Sequence, residues 1–139
     1  MKYVLIILCL CGIVAASLAL REHYRTDDDS PCSINERWDC GIVNKSPYAM
    51  VAGKIPVAVI GMAGYLFMGF LSFRRMYLFL LLAALAGLAY SLYLAHIEKD
   101  VLGVWCIYCA ISLGIISLLT LLVLATVVAC SIGRTRQVA

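Results

Sequence analysis

The sequence predicts an all-α membrane protein, a polytopic four-helix bundle with a capping outer loop. Of the 139 residues, 64% are hydrophobic and only 14% are charged, which is more apolar surface than a soluble domain of this size could bury. The apolar residues fall into four long runs, and a membrane-spanning helix needs roughly 20 such residues. Helices are the expected form because each one satisfies its own backbone hydrogen bonds in lipid.

The first apolar run follows Lys2 and covers residues 3–20. Its basic start and the segment Ala15-Ala16-Ser17 are also typical of a cleaved signal peptide. However, the run has 18 apolar residues, whereas the apolar core of a signal peptide has about 7–15. We therefore expect this run to be kept as the first spanning helix.

The other three runs are residues 55–73, 76–95 and 104–132, and none of them holds a charged residue. Small residues such as Gly61 and Gly69 would allow the close helix packing that is common in lipid. We expect one span from each run. Residues 1–139 would then form a single four-span membrane domain with an outer loop at residues 21–54.

The charged residues indicate an orientation. All eight acids lie in residues 21–54 and 96–103, whereas the turn Arg74-Arg75 and the C-terminal tail are purely basic. Short basic connections beside spans carry most of the topology signal, so we expect both termini in the cytoplasm. The acidic run Asp27-Asp28-Asp29 is expected to be a solvated loop, with docking to a basic partner as the alternative. A net charge of +3 gives no indication of nucleic-acid binding.

Four of the seven cysteines fall on the predicted outer side as two pairs. Cys106 and Cys109 form a C-x-x-C motif in the first turn or so of the last run, and Cys32 and Cys40 lie in the outer loop. Residues at this spacing share a helix face, and the positive end of a helix favours the reactive thiolate. Two dithiol pairs on one side of a bundle can pass electrons between a soluble partner and a molecule dissolved in the bilayer. The sequence therefore predicts a membrane thiol-redox enzyme.

The loop cysteines can pair only if the chain bends between them. On one helix, residues at this spacing would lie about 12 Å apart, whereas the Cα atoms of a disulfide usually lie within about 7 Å. Ser33-x-x-Glu36 resembles a capping box, which predicts a short helix from just after Cys32 to about Trp38–Asp39. A structural staple and a redox shuttle both fit this spacing.

The remaining cysteines and the histidines are expected to have no redox or metal-binding role. Cys9, Cys11 and Cys130 lie inside predicted spans, where buried cysteines behave as small hydrophobic residues. His23 and His96 lack the cysteine or carboxylate spacing of a metal site. We therefore expect no metal.

Together, these elements resemble the vitamin K epoxide reductase family over nearly the whole chain. The resemblance lies in the loop pair Cys32-x7-Cys40, a serine six residues later (Ser46), and C-x-x-C at the outer end of the last helix. The segment Ile55-Pro56-Val57-Ala58 is similar to the start of the second span in bacterial members. The family resemblance implies a four-helix bundle around a quinone of the ubiquinone, menaquinone or vitamin K type.

The resemblance also implies a role for each site residue. Cys106 and Cys109 would be the active-site pair, with the deeper Cys109 facing the quinone. Cys106 would exchange disulfides with Cys40, and Cys32 would meet a soluble thioredoxin-fold thiol oxidase or reductase. Ser46 would lie over the pocket, in the cap formed by the loop.

The chain differs from the animal members of that family at two pocket positions. Those enzymes have an asparagine near the start of the second span and a tyrosine four residues after the second C-x-x-C cysteine. Here the corresponding residues are apolar, about Val57 and Leu113, which favours quinone reduction over epoxide reduction. The resemblance implies a bacterial inner-membrane protein with its redox site facing the periplasm, or an ER protein facing the lumen if the source is eukaryotic. Many bacterial members carry a fused thioredoxin-like domain that this sequence lacks, so a separate partner is expected.

Three alternatives are open. The chain could be a vitamin K quinone or epoxide reductase of the same family. It could be a four-helix thiol oxidase of a different family, but those proteins place C-x-x-C in the first outer loop and the spaced pair in the second, the reverse of the order here. It could also be a non-catalytic membrane protein whose outer cysteines form structural pairs or a metal site, although a metal site would favour a second C-x-x-C.

Overall fold

The computed structural model describes residues 1–26 and 31–138; the acidic run at 27–29 lies outside these residues. Within them the chain forms five α-helices, which are α1 (Lys2–Tyr24), α2 (Cys40–Lys45), α3 (Val57–Phe73), α4 (Tyr77–Ile97) and α5 (Ile107–Val138). A 3₁₀ turn at Pro47–Ala49 follows α2. Two short strands, β1 (Met50–Val51) and β2 (Ile55–Pro56), then pair antiparallel before α3. After α4 the chain makes a π-helical turn at Glu98–Leu102.

Three of the long helical segments of the described chain are long and apolar enough to cross a membrane. They are Lys2–Tyr24, Tyr77–Leu102 and Ile107–Val138, with 23, 26 and 32 residues. The helix α3 is also apolar but shorter, with 17 residues. The predicted all-α membrane fold is confirmed, and the chain is an integral membrane protein. That α3 forms a fourth span remains a prediction.

The long helices pack around one apolar core. α1 contacts α3 and α5, and α4 contacts both α5 and α3. The core is built from large side chains of all four long helices, among them Leu5, Tyr65, Leu80, Leu119 and Val123. α1 and α3 approach each other closely at Gly12. A Cβ atom at this position would lie 2.5 Å from ring atoms of Tyr65, which is too close for a side chain. Glycine is thus required at this crossing.

The outer loop does not form the helix predicted just after Cys32. The Asn35 side chain instead accepts hydrogen bonds from the backbone N–H groups of Arg37 and Trp38, at 3.0 and 3.2 Å. These contacts fold the segment into a tight turn closed by the Asn35–Trp38 bridge. An asparagine side chain can compete in this way with the backbone bonds that a helix would make.

The short helix α2 begins later, at Cys40, because Asp39 caps it. The Asp39 carboxylate accepts the backbone N–H of Ile42 at 3.2 Å, as an N-cap residue does. Ser33 donates its hydroxyl to the same carboxylate at 3.0 Å, so Ser33 supports this cap and does not begin a helix of its own.

Candidate redox site

Cys32 and Cys40 form a disulfide, and their Cα atoms lie 5.6 Å apart. The predicted bend between them is therefore present, although a turn and not a helix makes it. Cys40 is fully buried and Cys32 is 4% exposed. Cys106 and Cys109 are free thiols, so the structure holds the loop pair oxidised and the C-x-x-C pair reduced.

Backbone hydrogen bonds attach the loop to the segment before the C-x-x-C motif. The N–H of Trp105 donates to the carbonyl of Arg37 at 2.7 Å, and the N–H of Asp39 donates to the carbonyl of Trp105 at 3.1 Å. The indole rings of Trp38 and Trp105 also make contact, with centroids 6.3 Å apart. The residues before Cys40 and before Cys106 are thus hydrogen-bonded neighbours, which brings the two cysteines to one place.

The two cysteine pairs share one buried apolar cluster. Its buried members are Cys32, Cys40, Val43, Val104 and Cys106, and Cys109 packs against them. The four cysteines singled out in the sequence are therefore brought together, although residues 32 and 109 are far apart in the chain.

Asn44 links the loop pair to the C-x-x-C pair. Its side-chain amide donates to the carbonyl oxygen of Cys40 at 2.9 Å and to the Cys106 sulfur at 3.4 Å. Asn44 is 6% exposed, and its backbone carbonyl oxygen is hydrogen-bonded to the His23 ring. The sequence alone did not identify Asn44, because Asn-Lys-Ser-Pro is an ordinary turn pattern and nothing local indicates a sulfur partner.

Cys106 lies just before the last helix and not in its first turn. α5 begins at Ile107, and the Cys106 carbonyl accepts the N–H of Ala110 at 3.0 Å, so Cys106 occupies the cap position. The pKa of the Cys106 thiol is lowered, chiefly because the Cys109 side chain hydrogen-bonds to it, and the Asn44 amide adds to this effect against the opposing burial. The predicted preference for thiolate at the helix start thus applies to Cys106.

A buried carboxyl group, Glu98, contacts both cysteines of the motif. Its Oε2 accepts the backbone N–H of Cys106 at 3.1 Å, and its side chain hydrogen-bonds the Cys109 thiol. Glu98 is 3% exposed. The chain turns back at Gly103, whose φ of 67° lies in the left-handed region that glycine tolerates. In the sequence the acids indicate only topology, and the one local signal for this site is that Glu98 comes three residues after the uncharged run at 76–95.

Beneath this cluster the helices enclose a cavity of about 650 Å³. Of the residues predicted to bind the quinone, Cys109, Ser46, Val57 and Leu113 all line it. Cys109 is the one cysteine among the described residues that line the cavity, while Cys106 is buried in the cluster above. The Ser46 hydroxyl donates to the carbonyl of Val43 at 2.7 Å, so it also holds the end of α2.

Deeper in the cavity wall lie two further hydroxyl groups that the sequence alone did not indicate. The Tyr65 hydroxyl is hydrogen-bonded to the Ser112 hydroxyl at 2.8 Å and to the Ser112 carbonyl at 3.0 Å. Both residues line the cavity. A tyrosine in an apolar run is most often a packing residue, and its partner on another helix is visible only in the fold.

The three cysteines inside the predicted spans differ in their surroundings. Cys9 is buried, as expected, but Cys11 and Cys130 are exposed on the helix surface. These two lie on faces of α1 and α5 that point away from the bundle, within the apolar helices in which they were predicted. Within residues 1–26 and 31–138, no group of three or more His, Cys, Asp or Glu side chains could hold a metal ion.

The chain matches the model of a known protein family. A model described as the vitamin K epoxide reductase family matches residues 3–126 of the chain, which is most of its 139 residues and includes the loop pair, the C-x-x-C motif and the cavity. None of the curated proteins matches the chain. The match extends from α1 into the second half of α5 and so covers every element that builds the site.

Proposed function

The chain belongs to the vitamin K epoxide reductase family, and we propose that it is a quinone-linked thiol oxidoreductase of the membrane. In this function Cys32 and Cys40 take electrons from a soluble thioredoxin-fold protein, and Cys106 and Cys109 pass them to a quinone. The overall result is a disulfide in the partner and a quinol in the bilayer.

One observation carries the proposal, namely that the two cysteine pairs share a buried cluster at the top of an apolar cavity. A structural staple in the loop would not need a second thiol pair beside it. Asn44 hydrogen-bonds both Cys40 and Cys106, which supports direct disulfide exchange between these two residues. The exchange would proceed through a mixed disulfide after thiolate attack.

The surroundings of the cysteines support the proposed order of electron transfer. Cys32 belongs to the loop disulfide and is the cysteine assigned to the soluble partner. Cys40 and Cys106 are linked by Asn44, whose side-chain amide donates to the carbonyl of Cys40 and to the sulfur of Cys106. Cys109 lines the cavity, so it is the thiol assigned to the quinone. Electrons would pass from Cys32 and Cys40 through Cys106 to Cys109.

The cavity suits a quinone in size and chemistry. Its volume of about 650 Å³ falls in the range of small-molecule sites, roughly 300–1,000 Å³. Apolar side chains dominate its wall, and Val57 and Leu113 add no hydrogen-bonding group. A bound quinone of the ubiquinone, menaquinone or vitamin K type would accept two electrons and two protons there. The apolar residues at these two positions favour quinone over epoxide as the substrate.

The proposed function also includes an orientation in the membrane and a partner. The site would face the bacterial periplasm, or the ER lumen in a eukaryotic source, because structural disulfides persist in those compartments. The partner would be a thioredoxin-fold thiol oxidase or reductase that docks over the loop at Cys32. Both termini and Arg74-Arg75 would then be cytoplasmic.

Quinone reduction by the purified full chain in lipid nanodiscs tests this function. With a reduced dithiol donor, the wild-type protein is expected to reduce at least one of ubiquinone, menaquinone and vitamin K quinone. Replacing Cys106 or Cys109 by Ala should abolish the reaction, whereas Cys130→Ala, on the exposed face of α5, should leave the rate unchanged. The function would be refuted if none of the three quinones were reduced by folded wild-type protein.

A further inference from the structure

We propose that Glu98 is a catalytic residue of this site, which takes the proton of the Cys109 thiol when the Cys106–Cys109 disulfide forms and returns a proton when that disulfide is reduced. This inference rests on the proposed function and adds a proton path to it. The four cysteines account for the electrons but offer no group that holds a proton between the thiol and the cavity.

The Glu98 carboxyl group contacts the two cysteines that would react with the quinone. The carboxyl group hydrogen-bonds the Cys109 thiol and accepts the backbone N–H of Cys106 at 3.1 Å. It also lines the cavity together with Cys109. A group that acts as a general base must lie within hydrogen-bond reach of the proton that it takes, and Glu98 meets this condition at Cys109.

The surroundings of Glu98 leave its carboxyl group free to exchange a proton. Among the described residues, no Lys, Arg or His forms an ion pair with Glu98. The ion pairs of this part of the chain join Arg25 to Glu22 and His96 to Asp100. On its own turn, the side chains of Lys99 and Asp100 are exposed.

The neighbouring elements contribute thiols, tyrosines and one histidine. The start of α5 brings the thiols of Cys106 and Cys109 together with Tyr108. The other titratable residues of the cavity wall are His23 of α1, Tyr48 of the 3₁₀ turn, Tyr65 of α3 and Tyr90 of α4. From α2, Cys40 is held in its disulfide and Lys45 is exposed. The Cys109 thiol is thus the hydrogen-bonded proton source for the Glu98 carboxylate.

The oxidation step balances with Glu98 as the proton carrier. As the S–S bond forms between Cys106 and Cys109, two S–H bonds break and two electrons leave the sulfur atoms. The electron pair and both protons pass to the bound quinone as the quinol forms. Glu98 holds the Cys109 proton on its way, and the second proton comes from Cys106.

The reduction step restores the pair. The Cys40 thiolate attacks the Cys106 sulfur, the Cys106–Cys109 bond breaks, and Cys109 leaves as a thiolate that takes a proton from Glu98. The Cys32 thiolate then attacks Cys40, which restores the loop disulfide and releases Cys106. The protons lost by the two loop thiols replace the two that entered the quinol, one of them through Glu98.

The pH dependence of quinone reduction in Glu98→Gln tests the proposal. Gln keeps an oxygen that can accept the Cys106 N–H but cannot carry a proton, so the rate at neutral pH should fall about 100-fold, within the usual range for general acid–base catalysis. The lost rate should partly return at alkaline pH, where solvent removes the thiol proton. Glu98→Asp should keep the wild-type shape of the pH profile. The matched control is Asp100→Asn, an exposed acid on the same turn, which should behave as wild type.

A second measurement needs neither quinone nor a folded Glu98→Gln variant. Infrared difference spectra of the wild-type protein, recorded between the Cys106–Cys109 disulfide and dithiol, should show a change in a carboxyl C=O stretch that Asp100→Asn retains and Glu98→Asp shifts. A wild-type spectrum without a carboxyl change would overturn the proposal. So would a folded Glu98→Gln variant that reduces quinone with the wild-type rate and pH profile. If the carboxyl change appears but no quinone is reduced, the role of Glu98 stands and the proposed electron acceptor is wrong.

Discussion

Cys40 is the first residue of α2 and Cys106 is the residue just before α5. Each of them is preceded by a residue that is hydrogen-bonded to the other segment. Asp39 donates its N–H to Trp105, so the two helix starts lie side by side. The positive end of a helix stabilises thiolate, and the hydrogen bond from Cys109 lowers the pKa of Cys106. At the residue scale, the site thus favours thiolate at the sulfur assigned to disulfide exchange.

Asn44→Ala is expected to slow exchange between the loop pair and Cys106 by about 2–10-fold, the effect of losing one hydrogen bond. The Asn44 amide helps to lower the Cys106 pKa, so its loss should raise that pKa. Less Cys106 thiolate would then be present at neutral pH to attack the loop disulfide. The rate of exchange in this direction, from the reduced C-x-x-C pair to the oxidised loop pair, should therefore rise at a higher pH than in wild type. Acid quenching followed by alkylation and mass spectrometry measures the rate.

The exposed neighbour Lys45 provides the control for Asn44, since Lys45→Ala should leave the exchange rate unchanged. An Asn44→Ala profile that coincides with wild type across the whole pH range would show that the Asn44 amide does not act on the Cys106 sulfur.

At the element scale, the close crossing of α1 and α3 fixes the deeper part of the cavity wall. Tyr65 packs its ring on the backbone of Gly12 and bonds its hydroxyl to Ser112 on α5. One side chain thus connects three helices. Because Tyr65 also lines the cavity, the packing of these helices sets the shape of the proposed quinone site.

Gly12→Ala should destabilise the protein by about 1–3 kcal/mol, the usual cost of overpacking a core, because the new methyl group would meet the Tyr65 ring. Thermal unfolding in detergent measures the effect. The control is Gly133→Ala in α5, where the new methyl group meets nothing within 4 Å and where alanine is the better helix former. Equal stability of the two variants would contradict the close crossing.

The apolar runs predicted the helices well because span length and hydropathy are local properties of the sequence. Their ends were less predictable. Val104 and Trp105 are as apolar as the helix that follows. However, the backbone of Trp105 is hydrogen-bonded to Arg37 and Asp39 of the outer loop, so α5 begins only after Trp105. The cysteine spacing predicted the two pairs that the fold brings together. Asn44 reaches them through a contact 62 residues along the chain, and Glu98 through the turn before α5, and neither contact is visible in a local sequence pattern.

At the scale of the whole molecule, the site lies at one end of the bundle and the basic turn Arg74-Arg75 lies between α3 and α4 at the other end of those helices. The chain is an integral membrane protein, and the acids of the described chain lie on the side of the cysteine cluster, in residues 21–54 and 96–103. This polarity matches a protein that takes electrons from one compartment and releases them into the bilayer.

The orientation can be tested with a cysteine introduced at Arg74 in a chain that lacks Cys9, Cys11 and Cys130. We expect an impermeant thiol reagent to label it only after the cells are opened, because basic turns remain in the cytoplasm. The loop cysteines, after reduction, should react in intact cells and serve as the control. Labelling of the Arg74 position from outside would reverse the proposed topology.

The central claim is that electrons cross from the loop to the C-x-x-C pair through a bond between Cys40 and Cys106. Two thiols can resolve this bond, Cys32 and Cys109, and removing Cys109 takes one of them away. Cys109→Ala should therefore accumulate the bond. Mass spectrometry of the non-reduced variant is the direct measurement. We predict a Cys40–Cys106 disulfide within one chain. A Cys32–Cys106 bond, or no bond between the two pairs, would contradict the account.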